Sequence, residues 1–240
     1  SNWGLLELRE EIAKYLVKYG LHYNPKNEIL VTVGASEAVD IILRSILNPG
    51  DEIIVCEPCY VSYQPLTTLC DAKVIHLDTS VTGFYPTAEE IEKVITPNTK
   101  ALMFCSPSNP TGKMCPADEL AKIAEVVKKH QLWCVSDEIY SELVYDEYKH
   151  TSIGSFPGMK DYTIILNGFS KSFAMTGWRI GYVAAPEDLV AQWEDNGNIS
   201  FVKPIRFIKK HHCGDICKVH LKRKRYVYMT PNHNQVYKTK

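Results

Sequence analysis

The chain predicts an α/β fold: a mostly parallel, seven-stranded sheet with helices on both faces. Two observations carry that expectation. Seven short apolar runs alternate with amphipathic stretches, the signature of strand–helix–strand units. The runs are strongly apolar, as suits strands covered on both sides, and 45% hydrophobic residues over 240 positions can fill a large core.

The first run is "EILVTV" (28–33), followed by "GASEAVDIILRSIL", where Ser36 is placed to cap a helix whose Ala38, Ile41, Ile42, Ser45 and Ile46 face the core. "NPGD" (48–51) then turns the chain into "EIIVCE". "KVIHLD" and "ALMFCS" come next. The stretch "PADELAKIAEVVKKHQ" reads as a helix, with Leu120, Ile123, Ala124 and Val127 in one apolar stripe and Asp118 and Glu119 at its start. "WCVSDE", "TIILNG" and "RIGYVAA" complete the seven strands.

The formal net charge of -1 conceals an asymmetry. Residues 1–194 hold 16 basic and 26 acidic side chains, whereas residues 195–240 hold 11 basic and 2 acidic ones. The last stretch is a compositionally different object. The chain lacks an apolar run long enough to span a bilayer, which needs about 18 residues, and its first residues are charged. It therefore reads as a cytoplasmic protein with no membrane or nucleic-acid partner.

Eight cysteines are irregularly spaced, and Cys56, Cys59, Cys70, Cys105, Cys115 and Cys134 lie in or beside the apolar runs. They read as buried free thiols in a reducing compartment. "CEPC" (56–59) has the form of a redox motif but ends a strand instead of opening a helix.

In open α/β sheets ligands bind beyond the carboxyl ends of the strands. Small, polar, charged and aromatic residues follow the runs here, the composition of a site for a charged aromatic ligand. Gly34, Ala35 and Ser36 offer an anion pocket at a helix start, or a simple cap. Tyr60 can stack on a planar ligand, or pack over the sheet edge. Asn109 sits in the turn-rich "SPSNPTG", where Asn109–Pro110 is a candidate cis bond and the amide can meet a ligand oxygen.

Asp137 closes an apolar run, so its carboxylate is expected to be partly buried and to need a partner; no lysine or arginine is near it in sequence, leaving a ligand cation for that part. Lys171, in "GFSKSFAMTGWRIGY" (168–182), is an amine able to form a Schiff base with a carbonyl cofactor. Ser170 can donate to a phosphate, and Arg179 can hold one through charged hydrogen bonds worth about 1.5–3 kcal/mol each.

With these pieces assembled, the chain resembles the class I/II aminotransferases, pyridoxal-phosphate enzymes of fold type I. The resemblance rests on "SNWGLLELREEIA", "VTVGASEAVDIILRSILNPGDEIIVCEPCYVSY", "SPSNPTG", "VSDEIY" and "GFSKSFAMTGWRIGY", in the family's order and spacing. It implies the large, cofactor-binding domain over 1–193, with the N-terminal arm and the small domain missing or incomplete. It implies that Lys171 forms the Schiff base with pyridoxal 5'-phosphate, that Asp137 pairs with the ring nitrogen, and that Tyr140 and Asn109 bond the phenolic oxygen. Tyr60 would stack on the ring, and Ala35, Ser36, Ser170 and Arg179 would hold the phosphate.

The implied activity moves an amino group between an amino acid and a 2-oxo acid in a homodimer. A same-fold carbon–sulfur lyase, a ring-forming synthase, or an inactive cofactor-domain fragment are the alternatives. The arginine that binds the substrate carboxylate in the family is not assigned to any residue here, and Arg206 stands too close to the sheet motifs to be accepted as its substitute.

Three readings of 194–240 compete: a shifted or unspliced frame, a divergent terminus, and a basic module. The last would use "KRKR" (222–225) toward nucleic acid or as a targeting signal, and His211, His212, Cys213, Cys217 and His220 toward a metal, although their spacing fits no usual zinc pattern. The chain is expected to hold no metal.

Overall fold

A computed structural model describes residues 3–194, 217–221 and 225–229. The chain divides into two units, Ser1–Asn198 and Ile199–Lys240. The elements of the first are α1 (Leu6–Val17), β1 (Ile29–Thr32), α2 (Gly34–Ile46), β2 (Glu52–Glu57), α3 (Tyr63–Leu69), β3 (Lys73–Asp78), α4 (Ala88–Val94), β4 (Thr99–Cys105), α5 (Ala117–His130), β5 (Trp133–Asp137), β6 (Thr163–Gly168), β7 (Gly181–Ala184) and α6 (Glu187–Glu194).

All seven expected strands form one sheet, in the order β1-β7-β6-β5-β4-β2-β3. The pairs joining β2 through β6 are parallel, whereas β7 runs antiparallel to both β1 and β6.

The two-residue period of a strand sends alternate side chains to opposite faces. Ile53 and Val55 of β2 accordingly join Ala38, Ile42 and Leu43 of α2 and Val190 of α6 in one core. Ile54 and Cys56 point the other way, into a core with Ile91 of α4 and Leu120, Ile123 and Val127 of α5. Ile12 and Leu16 of α1 pack with Ile29, Ile165 and Tyr182 in a third cluster. Helices cover both faces, as expected.

α5 follows its pattern: the stripe residues are buried, acids open the helix, Lys128, Lys129 and His130 close it, and Gln131 in a left-handed conformation ends it. α2 departs from expectation. It begins at Gly34, its cap position is Val33, and no side chain caps it; Ser36 lies inside the first turn. Gly34 adopts φ +76°, and this left-handed residue lets the helix start three positions earlier than a Ser36 cap requires.

In the second unit, β8 (Cys217–Leu221) and β9 (Arg225–Met229) pair antiparallel. The metal reading of His211, His212, Cys213, Cys217 and His220, and the basic run 222–225, fall on side chains outside the described residues. Among the described residues no group of three His, Cys, Asp or Glu is placed to hold a metal ion, and no helix is long and apolar enough to cross a membrane.

Candidate active site

The parallel strands bring their carboxyl ends to one edge of the sheet. Tyr60 follows β2, Asn109 follows β4, Asp137 ends β5 and Lys171 follows β6. Because β7 is antiparallel, its beginning lies at this edge, so Arg179, two residues before it, arrives beside Lys171. β1 turns at Gly34 into α2, adding Ala35 and Ser36.

The nine residues singled out from sequence, Ala35, Ser36, Tyr60, Asn109, Asp137, Tyr140, Ser170, Lys171 and Arg179, all line one cavity of about 230 Å³. Val39 and Ile139 give it apolar walls.

Asp137 is 5% exposed, as its apolar run led one to expect. Its carboxylate accepts from the Tyr63 hydroxyl at 2.5 Å and from the Ile139 N–H at 3.1 Å. Both donors are neutral. Burial pushes the Asp137 carboxyl up to about 6 from 3.8, against the opposing pull of these two donors. A buried carboxylate lining a cavity, with no cationic donor bonded to it among the described residues, can take a cationic donor from a ligand.

Tyr63 was missed in the sequence. It is the first residue of α3 and fully buried, and its ring meets Tyr60 edge-on at 5.7 Å. Tyr60 lies in the turn just before α3, and the Tyr63 N–H bonds its carbonyl at 3.2 Å, so no periodic pattern in the sequence marks the two tyrosines as neighbours.

The Asn109 amide donates to the Tyr140 hydroxyl at 3.3 Å, and Asn109–Pro110 is cis. The Ser36 and Tyr60 hydroxyls meet at 3.3 Å, and Ser36, with Ser62, holds the Tyr60 phenol below its ordinary pKa. The Lys171 ammonium lies 5.8 Å from the Tyr140 ring centroid. Neither Lys171 nor Arg179 forms an ion pair among the described residues.

Arg179 has φ +53° and bonds the Thr176 carbonyl at 3.1 Å; its guanidinium crosses Gly34, where an added Cβ would stand 2.6 Å from Nη2. A guanidinium over the first turn of a 13-residue helix makes a cradle for a phosphate-like anion.

Beneath the site, Glu138 is 1% exposed and accepts from Ser136 at 2.9 Å and Ser152 at 2.6 Å, with His150 Nε2 at 3.0 Å. Glu138→Ala would orphan three buried groups beside Asp137. It is expected to cost about 3–5 kcal/mol of stability, read as a lower urea midpoint.

The six described cysteines are free. Burial pushes the Cys56 thiol well up and the Cys59 thiol to about 11, so the "CEPC" pair carries no reactive thiolate at neutral pH.

An exposed amine, a buried carboxylate and an arginine over a helix start thus share one cavity on the carboxyl edge of a mostly parallel sheet. Residues 1–204 match the aminotransferase class I and II family, and the chain belongs to it.

It is 39% identical over 210 residues to aromatic-amino-acid aminotransferase 2 of Thermococcus litoralis, covering 87% of this chain and 54% of that one. Identity to an aspartate aminotransferase of Pyrococcus abyssi is 40% over 210 residues, covering 87% of this chain and 54% of the relative. The solved aromatic aminotransferase of Pyrococcus horikoshii superposes with a TM-score of 0.79 at 41% identity, over 83% of this chain and 54% of that structure. The chain spans about half the length of the curated relatives it matches.

Proposed function

We propose that the protein binds pyridoxal 5'-phosphate through Lys171 and belongs to an enzyme that moves an amino group between an amino acid and a 2-oxo acid, with residues 1–193 as its cofactor domain. The observation that supports this most directly is the convergence of Lys171, buried Asp137 and the Arg179–α2 cradle on one cavity.

When bound, the cofactor supplies an electron sink for the pair left by breaking a Cα–H bond. The chain's own residues have separable tasks. Arg179, Ser170, Ser36 and the first N–H groups of α2 hold a phosphate, and Tyr60 covers one ring face. Asn109 and Tyr140 form a polar pair for the phenolic oxygen. Asp137 keeps a ring nitrogen protonated, each pKa unit corresponding to about 1.4 kcal/mol. Lys171 serves as nucleophile toward the carbonyl, then as the base and acid that carries a proton.

Six unpaired thiols suit a cytoplasmic setting. A homodimer is consistent with four exposed apolar side chains beside site residues: Val33, Val61, Phe173 and Trp178.

The test is spectroscopic. The purified 240-residue chain with pyridoxal phosphate is expected to show a visible absorption band that Lys171→Ala abolishes; the wild-type chain without such a band would overturn the proposal. In an active preparation, oxo-acid formation that requires a second oxo acid supports transamination, and ammonia release without an acceptor would assign elimination instead.

A further inference from the structure

One carboxylate outside the cavity gathers an unusual number of donors. Glu142, two residues beyond Tyr140, accepts at a single oxygen from the Tyr15 hydroxyl at 2.6 Å, the Tyr19 hydroxyl at 2.8 Å and the Lys18 ammonium. All three donors lie on or just past α1, on one side of that helix. The Lys18 ammonium also sits over the rings of Tyr15 at 4.4 Å and Tyr19 at 4.9 Å. Burial alone would push Glu142 up, but the donors from Lys18, Tyr15 and Tyr19 hold it below its ordinary value.

The same helix face reaches the other loop of the site. The Tyr15 ring contacts Phe173 at 5.8 Å, and Phe173 contacts Phe169 at 5.2 Å, so the aromatic residues two positions either side of Lys171 rest on each other and on α1. The loops are also tied directly, by Ser172 Oγ to the Ile139 carbonyl at 3.4 Å and by Asn167 to Ser141 at 3.3 Å. α1 thus holds the Tyr140 segment through Glu142 and the Lys171 segment through Tyr15.

We infer that Glu142 is a positioning residue: by anchoring Tyr15, Lys18 and Tyr19, it sets where Tyr140 and Lys171 stand relative to each other. The role in catalysis rests on the function proposed above, but the mechanical coupling does not. A carboxylate needed only as a surface ion pair has no use for two tyrosine donors.

The experiment uses the cofactor-free 240-residue chain. Amide exchange is followed across 169–179, and the Lys171 side-chain resonance, assigned by its absence in Lys171→Ala, is read in lysine-labelled protein. Glu142→Ala is expected to speed exchange across 169–175 by about tenfold and to shift the Lys171 resonance. Glu142→Gln, which keeps an acceptor oxygen and protects against a failure to fold, should fall between it and wild type.

Ile91→Val, in a different core cluster, is the control for general loss of stability and should move neither signal. The inference is overturned if both Glu142 variants leave the Lys171 segment as protected as wild type, or if Ile91→Val, compared at equal loss of thermal stability, disturbs it equally. Because no cofactor is present, an absent visible band would defeat the proposed function without touching this result.

Discussion

Gly181→Ala is expected to dismantle the anion cradle and destabilise the domain by about 3 kcal/mol or more, the upper range for overpacking. The added Cβ would stand 2.5 Å from the Gly34 carbonyl carbon, 2.6 Å from the Ala35 nitrogen and 2.8 Å from the Gly34 oxygen. Every one of these atoms is backbone, so no side chain can rotate out of the way. Gly181 is also fixed from both sides, opposite Thr32 on β1 and Gly168 on β6.

Relief therefore requires β7 to separate from the start of α2, which moves Arg179 away from the N–H groups it faces. A lower urea midpoint and lost retention of pyridoxal phosphate are the expected readings. Gly177→Ala, with nothing within 4 Å of its added Cβ, should change the stability by less than about 0.5 kcal/mol and leave the midpoint near that of wild type. Equal midpoints for the two variants would refute the close-approach argument.

Asp137→Asn is expected to act in opposite directions on stability and on binding. With a carboxyl at about 6 in the folded protein and 3.8 as the reference, the folded state holds more protons than the unfolded state between those values. Stability then falls as pH rises through that window, by about 2–3 kcal/mol in all, and the cost persists above pH 6. An amide at this position carries no charge to desolvate; its single oxygen can accept from the Ile139 N–H, while its NH2 faces the Tyr63 hydroxyl oxygen as a donor.

The cofactor-free variant should therefore melt higher than wild type at pH 7–8 and lose that advantage near pH 4. Its affinity for pyridoxal phosphate should drop by roughly 10- to 100-fold, the loss of one charge-assisted hydrogen bond. Thermal melts across pH, paired with titrations of the visible band, measure both. A variant no more stable than wild type at pH 7–8 would show that the Asp137 charge is already compensated.

Much of this was legible beforehand because the responsible patterns are local. Strand runs such as "EIIVCE" and "TIILNG" announce themselves by uninterrupted apolar character, and residues just beyond them fall on the carboxyl edge by topology alone. That logic located Asp137, Asn109 and Lys171 on one edge without any coordinate.

It could not find Tyr63 or Glu142, whose partners are 74 and 123–127 residues away. Nor could it place the start of α2, since a left-handed glycine and a serine cap look alike in "GASEA". Arg179 was singled out for its chemistry, but its arrival beside Lys171 depends on the reversed direction of β7. Short-range pattern carries no information about direction.

That reversal also sets an order of assembly. Among the described residues β1 has one strand neighbour, β7, about 150 residues later in the chain, while β2 through β6 can pair among themselves as they emerge. A nascent or truncated chain ending before Gly181 would carry β2 through β6 and the segments holding Tyr60 and Tyr140, yet β1 would lack its partner β7. The Arg179–α2 end of the pocket is thus the last part the polypeptide can build, and a long-range closure of this kind is the slow step that topology predicts.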